Sequence, residues 1–210
     1  MNKIGLFALV LAGTACAQTD HNGFIWIEGP DEVLESNSTY TLEVWGRFES
    51  PAFIAGESAL AGFWFDIITT VGRDQIDYIW NIQVNGGYGG FGTGETIQII
   101  GPDIFNASGG QLANLFGILN PNIITSNPVQ LFTFDIVTAS VPITDLEFTP
   151  MNPGINGGLS FYPDIEDGAT INAPNDPNTS LTTKPWAYQI PSPISVAPLL
   201  LLAMARRRWR

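Results

Sequence analysis

A chain of 210 residues with net charge −12, pI about 4.2 and 45% hydrophobic residues fits one folded domain between two terminal segments. Five of the eight basic residues lie at the ends, so the body keeps Arg47, Arg73 and Lys184 against all 20 acids; such a surface repels phosphate backbones and excludes nucleic acid as a partner. The only cysteine, Cys16, and the only histidine, His21, leave the body without a disulfide, a thiol nucleophile, a serine–histidine triad or a multi-histidine zinc site.

Residues 1–17 read as a secretory signal peptide. Lys3 supplies the positive start, Ile4 to Ala12 is an apolar run too short to span a bilayer, and Ala15 and Ala17 are the small residues before a cleavage ahead of Gln18. The alternatives are a buried N-terminal strand, or lipidation at Cys16, where Gly13 stands in the place that usually holds a large aliphatic residue. His21, close to the new terminus, is expected to be disordered rather than functional.

From Phe24 the chain reads as β. Phe24-Ile25-Trp26-Ile27 is a short apolar run stopped by Gly29-Pro30. Tyr40 to Phe48 alternates: Tyr40, Leu42, Val44, Gly46 and Phe48 on one face, Thr41, Glu43, Trp45 and Arg47 on the other. Leu60 to Thr70 is denser and suits a strand covered on both sides. Ile76, Tyr78, Trp80, Ile82 and Val84 alternate with polar residues. Asn85 to Gly94 reads as a glycine loop, with no following helix or lysine to make it a phosphate loop.

Glu95 to Ile100 returns to strand, and Gln111 to Phe116 is the one short helix expected. Val129 to Thr138, Asp145 to Thr149 and Gly158 to Phe161 are further strands, with Thr170-Ile171 as an edge. Asn172 to Pro185, rich in Asn, Asp, Pro and Thr, reads as loop or linker, and Trp186 to Ile190 as a last strand or the start of a stalk. Eight or nine short strands without crossover helices predict an all-β fold, an antiparallel two-sheet β-sandwich over residues 18–171, with 172–190 as linker or last strand.

Candidate chemistry is sparse, and no catalytic or cofactor-binding residue is marked. Asp164, Glu166 and Asp167 cluster beside Gly168 and are candidate calcium ligands, against the simpler reading of a solvated acidic turn. A glycan hydrolase needs two carboxylates facing across a cleft, and no pair stands out. Trp45, on the polar face of its strand, is the candidate ligand-binding aromatic, because exposed rings on a sheet grip sugars by stacking. Trp64 and Trp80, among other apolar residues, are expected in the core. Three sequons, at Asn37, Asn106 and Asn178, carry little weight.

Residues 191–210 form a distinct tail: Pro191-Ser192-Pro193, an apolar stretch from Ile194 to Ala205, then Arg206-Arg207-Arg208. As a helix the stretch is about 18 Å long, short of a hydrocarbon core of roughly 30 Å. It reads as a transient stop in the inner membrane, with the arginines on the cytoplasmic side.

This tail resembles the PEP-CTERM sorting domain of Gram-negative bacteria, with Ser192 where the named motif has Glu. The resemblance implies an exosortase-like processing enzyme as partner and export to the cell surface or extracellular matrix.

The body also resembles the strand pattern of cohesin-like and carbohydrate-binding sandwiches, through Tyr40 to Phe48, Ala61-Gly62-Phe63-Trp64-Phe65-Asp66-Ile67 and Leu131-Phe132-Thr133-Phe134-Asp135-Ile136. That likeness implies a jelly-roll-like fold that binds a surface protein or an extracellular polysaccharide. The expected function is non-enzymatic binding or structure, with a carbohydrate-binding module as the alternative and a small hydrolase as the third reading.

Overall fold

The structure, a computed structural model, describes residues 21–89, 96–115, 118–152 and 157–190. The signal segment with Ala15 and Ala17, and the tail with Pro191, Ser192, Pro193, Arg206, Arg207 and Arg208, lie outside the described residues, as does most of the glycine loop beyond Gly89.

The strands are β1 (His21–Glu28), β2 (Thr39–Glu49), β3 (Ala59–Val71), β4 (Ile76–Val84), β5 (Gln98–Ile100), β6 (Asp103–Gly110) and β7 (Asn114–Leu115). They continue as β8 (Ile118–Leu119), β9 (Val129–Thr138), β10 (Asp145–Met151), β11 (Gly158–Tyr162), β12 (Ile171–Ala173), β13 (Thr179–Lys184) and β14 (Trp186–Gln189). Single-turn 3-10 helices cover Arg73–Gln75 and Gly86–Tyr88.

The first sheet runs β13-β1-β2-β9-β4. The second runs β12-β11-β3-β10-β14, with β6 and β5 added on β3. Pairing is antiparallel except between β1 and β13, which run parallel from His21↔Thr179 to Trp26↔Lys184. The all-β sandwich expected from the alternating runs is therefore present, with one parallel edge.

Period-two alternation builds the core. Ile25, Ile27, Leu42, Val44, Phe48, Phe134 and Ile136 from the first sheet are buried against Phe63, Phe65, Ile67, Phe148, Leu159 and Phe161 from the second. Rings bridge the layers: Phe48 and Phe161 stack at 4.6 Å between centroids, and Phe63 and Phe132 at 5.7 Å.

Strict alternation fails at Leu131 and Phe132, which are adjacent and both buried. A bulge opposite Val44 and Trp45 absorbs the extra inward residue, so that Val44 faces Phe132 and Trp45 faces Gln130.

Several expectations are corrected. The helix over Gln111 to Phe116 is absent where the chain is described: Asn114–Leu115 is a strand, and Gln111 is buried. Its amide donates to the carbonyls of Leu60 and Ile124, which ties the loop down in extended form. Within Asn172 to Pro185, read as loop or linker, Thr179–Lys184 forms β13, and Trp186–Gln189 forms β14, so residues 172–190 carry strands, as the second of the two readings had it.

Trp80 is not core either. Bulges around Asp77 and between Trp80 and Gln83, where Asn81 takes φ 52°, put Ile76 and Ile79 inside and leave Trp80 47% and Tyr78 49% exposed. Trp64 is half-buried on the outer face of the second sheet, between the inward Phe63 and Phe65. His21 belongs to β1, with its Nδ1 2.7 Å from the Ser50 hydroxyl. The sequon residues Asn37, Asn106 and Asn178 all have positive φ, a conformation asparagine tolerates better than most residues.

Candidate functional site

The outer face of the first sheet carries the candidate site. In β1 the inward residues are Ile25 and Ile27, which sends Phe24, Trp26 and Glu28 outward. In β2 the inward Val44, Gly46 and Phe48 send Glu43, Trp45 and Arg47 outward. The β1–β2 register then sets Phe24 opposite Arg47, Trp26 opposite Trp45, and Glu28 opposite Glu43. The parallel partner β13 adds Thr182 beside Phe24 and Lys184 beside Trp26.

Trp45 therefore does not stand alone. Its ring lies 6.3 Å from that of Trp26, with the planes 13° apart. Each indole is pinned by its own carboxylate: Trp26 Nε1 donates to Glu28 Oε1 at 2.8 Å, and Trp45 Nε1 donates to Glu43 Oε2 at 3.1 Å. The Arg47 guanidinium sits 4.7 Å over the Phe24 ring and pairs with Glu49 at 2.7 Å. Phe24, Trp26, Glu28, Arg47, Thr182 and Lys184 line a shallow depression of about 350 Å³.

Further along the same face, Trp80 of β4 lies opposite Asp135 of β9. Asp135 accepts hydrogen bonds from Thr41 Oγ1 at 2.6 Å and from Asn81 Nδ2 at 2.7 Å, which holds the β4 bulge in place. From β1 to β4 is three strand spacings, so the aromatic face is roughly 14 Å wide.

The chemistry of this face is stacking and hydrogen bonding. Fixed rings offer apolar π-faces, and the carboxylates, Arg47 and Lys184 offer polar contacts around them. Glu28 and Glu43 are an in-register acidic pair, but both are already tied to indole donors on an open sheet face rather than across a cleft.

The acidic cluster takes a different place. Asp164, Glu166 and Asp167 lie on an exposed turn after β11, where Asp164 Oδ1 accepts the Glu166 N–H at 2.8 Å and the Asp164 carbonyl accepts the Gly168 N–H. Among the described residues, no group of three or more His, Cys, Asp or Glu side chains is placed to hold a metal ion. No helix among them is long and apolar enough to cross a membrane.

Sequence reasoning found Trp45 but missed its partner. Trp26 sits in a run of four apolar residues, and such a run does not say which members face outward. The signal was Glu28 two places on, which fixes the outward parity of the strand.

No protein-family model matches the chain, and no curated protein matches it. Among solved structures it is similar to the seventh ScaB type I cohesin of Pseudobacteroides cellulosolvens, at 8% identity and TM-score 0.45, over 82% of this chain and 92% of that one. It is also similar to the sixth cohesin of scaffoldin B from Acetivibrio cellulolyticus, solved with a Cel5 dockerin, at 10% identity and TM-score 0.44, over 82% of this chain and 100% of that one. The sandwich assignment itself rests on the strand order and the burial pattern.

Proposed function

We propose that this protein is an exported, non-enzymatic binding module whose outer first-sheet face takes a carbohydrate chain. One observation carries the reading: the near-parallel Trp26 and Trp45 rings, each pinned by a carboxylate, on an open sheet face. Rings held in place cost little ordering entropy when a sugar stacks on them. Trp80 and Tyr78, exposed on the same face, extend the platform toward β4 and suit a chain of several sugar units rather than a single one.

Export and surface delivery rest on the signal-like segment 1–17 and the tail with Pro191, Ser192, Pro193 and Arg206 to Arg208. An exosortase-like enzyme is the processing partner in this reading, and an extracellular polysaccharide is the ligand.

The test is affinity electrophoresis of the purified full chain through gels cast with bacterial or plant polysaccharides. Retarded migration with at least one polymer, lost in Trp26→Ala and Trp45→Ala, is expected. Unchanged migration with every polymer would overturn the carbohydrate reading. For export, deleting residues 191–210 should release the protein from the cell surface, and unchanged surface retention would sink the sorting role.

A further inference from the structure

A second site lies on the other sheet. We propose that a groove on the outer face of the second sheet binds one uncharged sugar ring, seated against Trp64. The groove has a volume of about 270 Å³. Its shape follows from the register. Trp64 of β3 is paired with Gly158 of β11 on one side and Ser108 of β6 on the other. One row along, Gly62 lies between Ser160 and Gly110. Glycines beside and beyond the indole leave the surface low next to a tall ring, which is what makes the face concave there.

The floor is fixed as glycine by the backbone around it. A Cβ on Gly62 would come 2.8 Å from the Gly109 carbonyl oxygen, and one on Gly158, at φ +124°, 1.9 Å from that of Ala173. The groove is therefore formed before any ligand arrives. The wall is held too, because Trp64 Nε1 donates to Asn106 Oδ1 at 3.3 Å.

The lining decides the ligand class. The chain has 20 acids, yet among the described residues no acid, lysine, arginine or histidine lines the groove. Its polar rim is Ser160, Thr170, Asn172 and Asn175. Ser160 Oγ donates to Asn172 Oδ1 at 2.7 Å, and Asn175 Nδ2 donates to the Gly157 carbonyl at 2.9 Å, so the rim is ordered. A charged ligand would lose water here and gain no counter-charge. A sugar ring has an apolar C–H face for the indole and hydroxyls for the amide and hydroxyl rim. The volume suits one ring, unlike the open face around Trp26 and Trp45. The two sites share neither residues nor sheet, so each stands or falls alone.

The experiment follows the Trp64 indole N–H resonance of the full chain as methyl glucoside, methyl galactoside and methyl mannoside are added. A saturable shift with at least one glycoside is expected, and it should persist in the Trp26→Ala/Trp45→Ala double variant. Thr170→Arg, at an exposed rim position, should fill the mouth and weaken the shift by roughly tenfold, about the worth of one stacked ring. Trp64→Ala, if it folds, should remove sugar binding at this site in calorimetry of that double variant. No movement of the Trp64 resonance with any glycoside would overturn the proposal. So would an unchanged response in Thr170→Arg, or an equal response to uracil, a neutral ring that carries no sugar.

Discussion

Trp26 and Trp45 lie directly opposite each other in the β1–β2 register, with ring planes 13° apart and centroids 6.3 Å apart. Each also has an independent hydrogen bond, so the pair is coupled through contact and not through a shared partner. A double-mutant cycle with Trp26→Ala and Trp45→Ala should give a coupling of about 0.5–1.5 kcal/mol in urea unfolding. Additive costs would mean that the rings pack on the sheet separately and form no common platform.

The same register puts Glu28 opposite Glu43. Like charges directly across an antiparallel pair cost about 0.2–1 kcal/mol. Glu43→Gln keeps an oxygen acceptor for the Trp45 N–H and removes the repulsion. It should raise the urea midpoint at low salt, and the gain should shrink at 1 M salt, where the Debye length is about 3 Å. A loss of stability at low salt would show that the carboxylate charge contributes more to the indole bond than the pair repulsion costs.

Gly29 makes room for Trp186. A Cβ there would lie 2.5 Å from Trp186 Cε2 and 2.7 Å from Nε1. The indole has little freedom to retreat, because it is stacked between Phe148 at 6.2 Å and Tyr188 at 6.4 Å. Gly29→Ala should cost about 1–3 kcal/mol by overpacking. Adding Trp186→Phe to that variant should recover part of the loss, since the smaller ring vacates the clash. A Gly29→Ala variant as stable as the parent would mean that β14 moves as a unit.

Much of the fold was legible because long strands with one buried face alternate cleanly. β2 and β9 read correctly from Leu42, Val44, Phe48, Phe134 and Ile136. β4 did not, because its two bulges reverse which residues face inward, and bulges leave no period to read; Trp80 was misplaced for that reason. β13 was missed because an edge strand needs little apolar surface: only Leu181 packs on the core, and the rest is Thr, Ser and Lys. The candidate site was half legible. Trp45 announces itself by parity, but its pairing with Trp26 is a matter of register, which depends on turns and bulges rather than on composition. The Trp64 groove was not legible, since glycines 62, 110 and 158 meet only through strands distant in sequence.

Tyr88 closes the inner end of the glycine loop. It is fully buried, packs edge-on against Phe63 at 5.8 Å, and its hydroxyl has no hydrogen-bond partner among the described residues. Burial therefore holds its phenol pKa well above the ordinary value of 10.0. The sign of the pH effect follows. Below about pH 10 the phenol is neutral in both folded and unfolded chains, and its contribution to stability is intact. Above that pH the unfolded chain ionises while the folded one resists, so stability falls by up to about 1.4 kcal/mol per pH unit from this group. Tyr88→Phe should remove that component, leaving a shallower loss between pH 10 and 11 in urea unfolding. At pH 7 the same variant should be as stable as the parent or gain about 1 kcal/mol, because the orphaned hydroxyl no longer has to be buried. A clear loss at pH 7 would reveal a partner for the hydroxyl, and an unchanged alkaline slope would show that Tyr88 opens to water before it ionises.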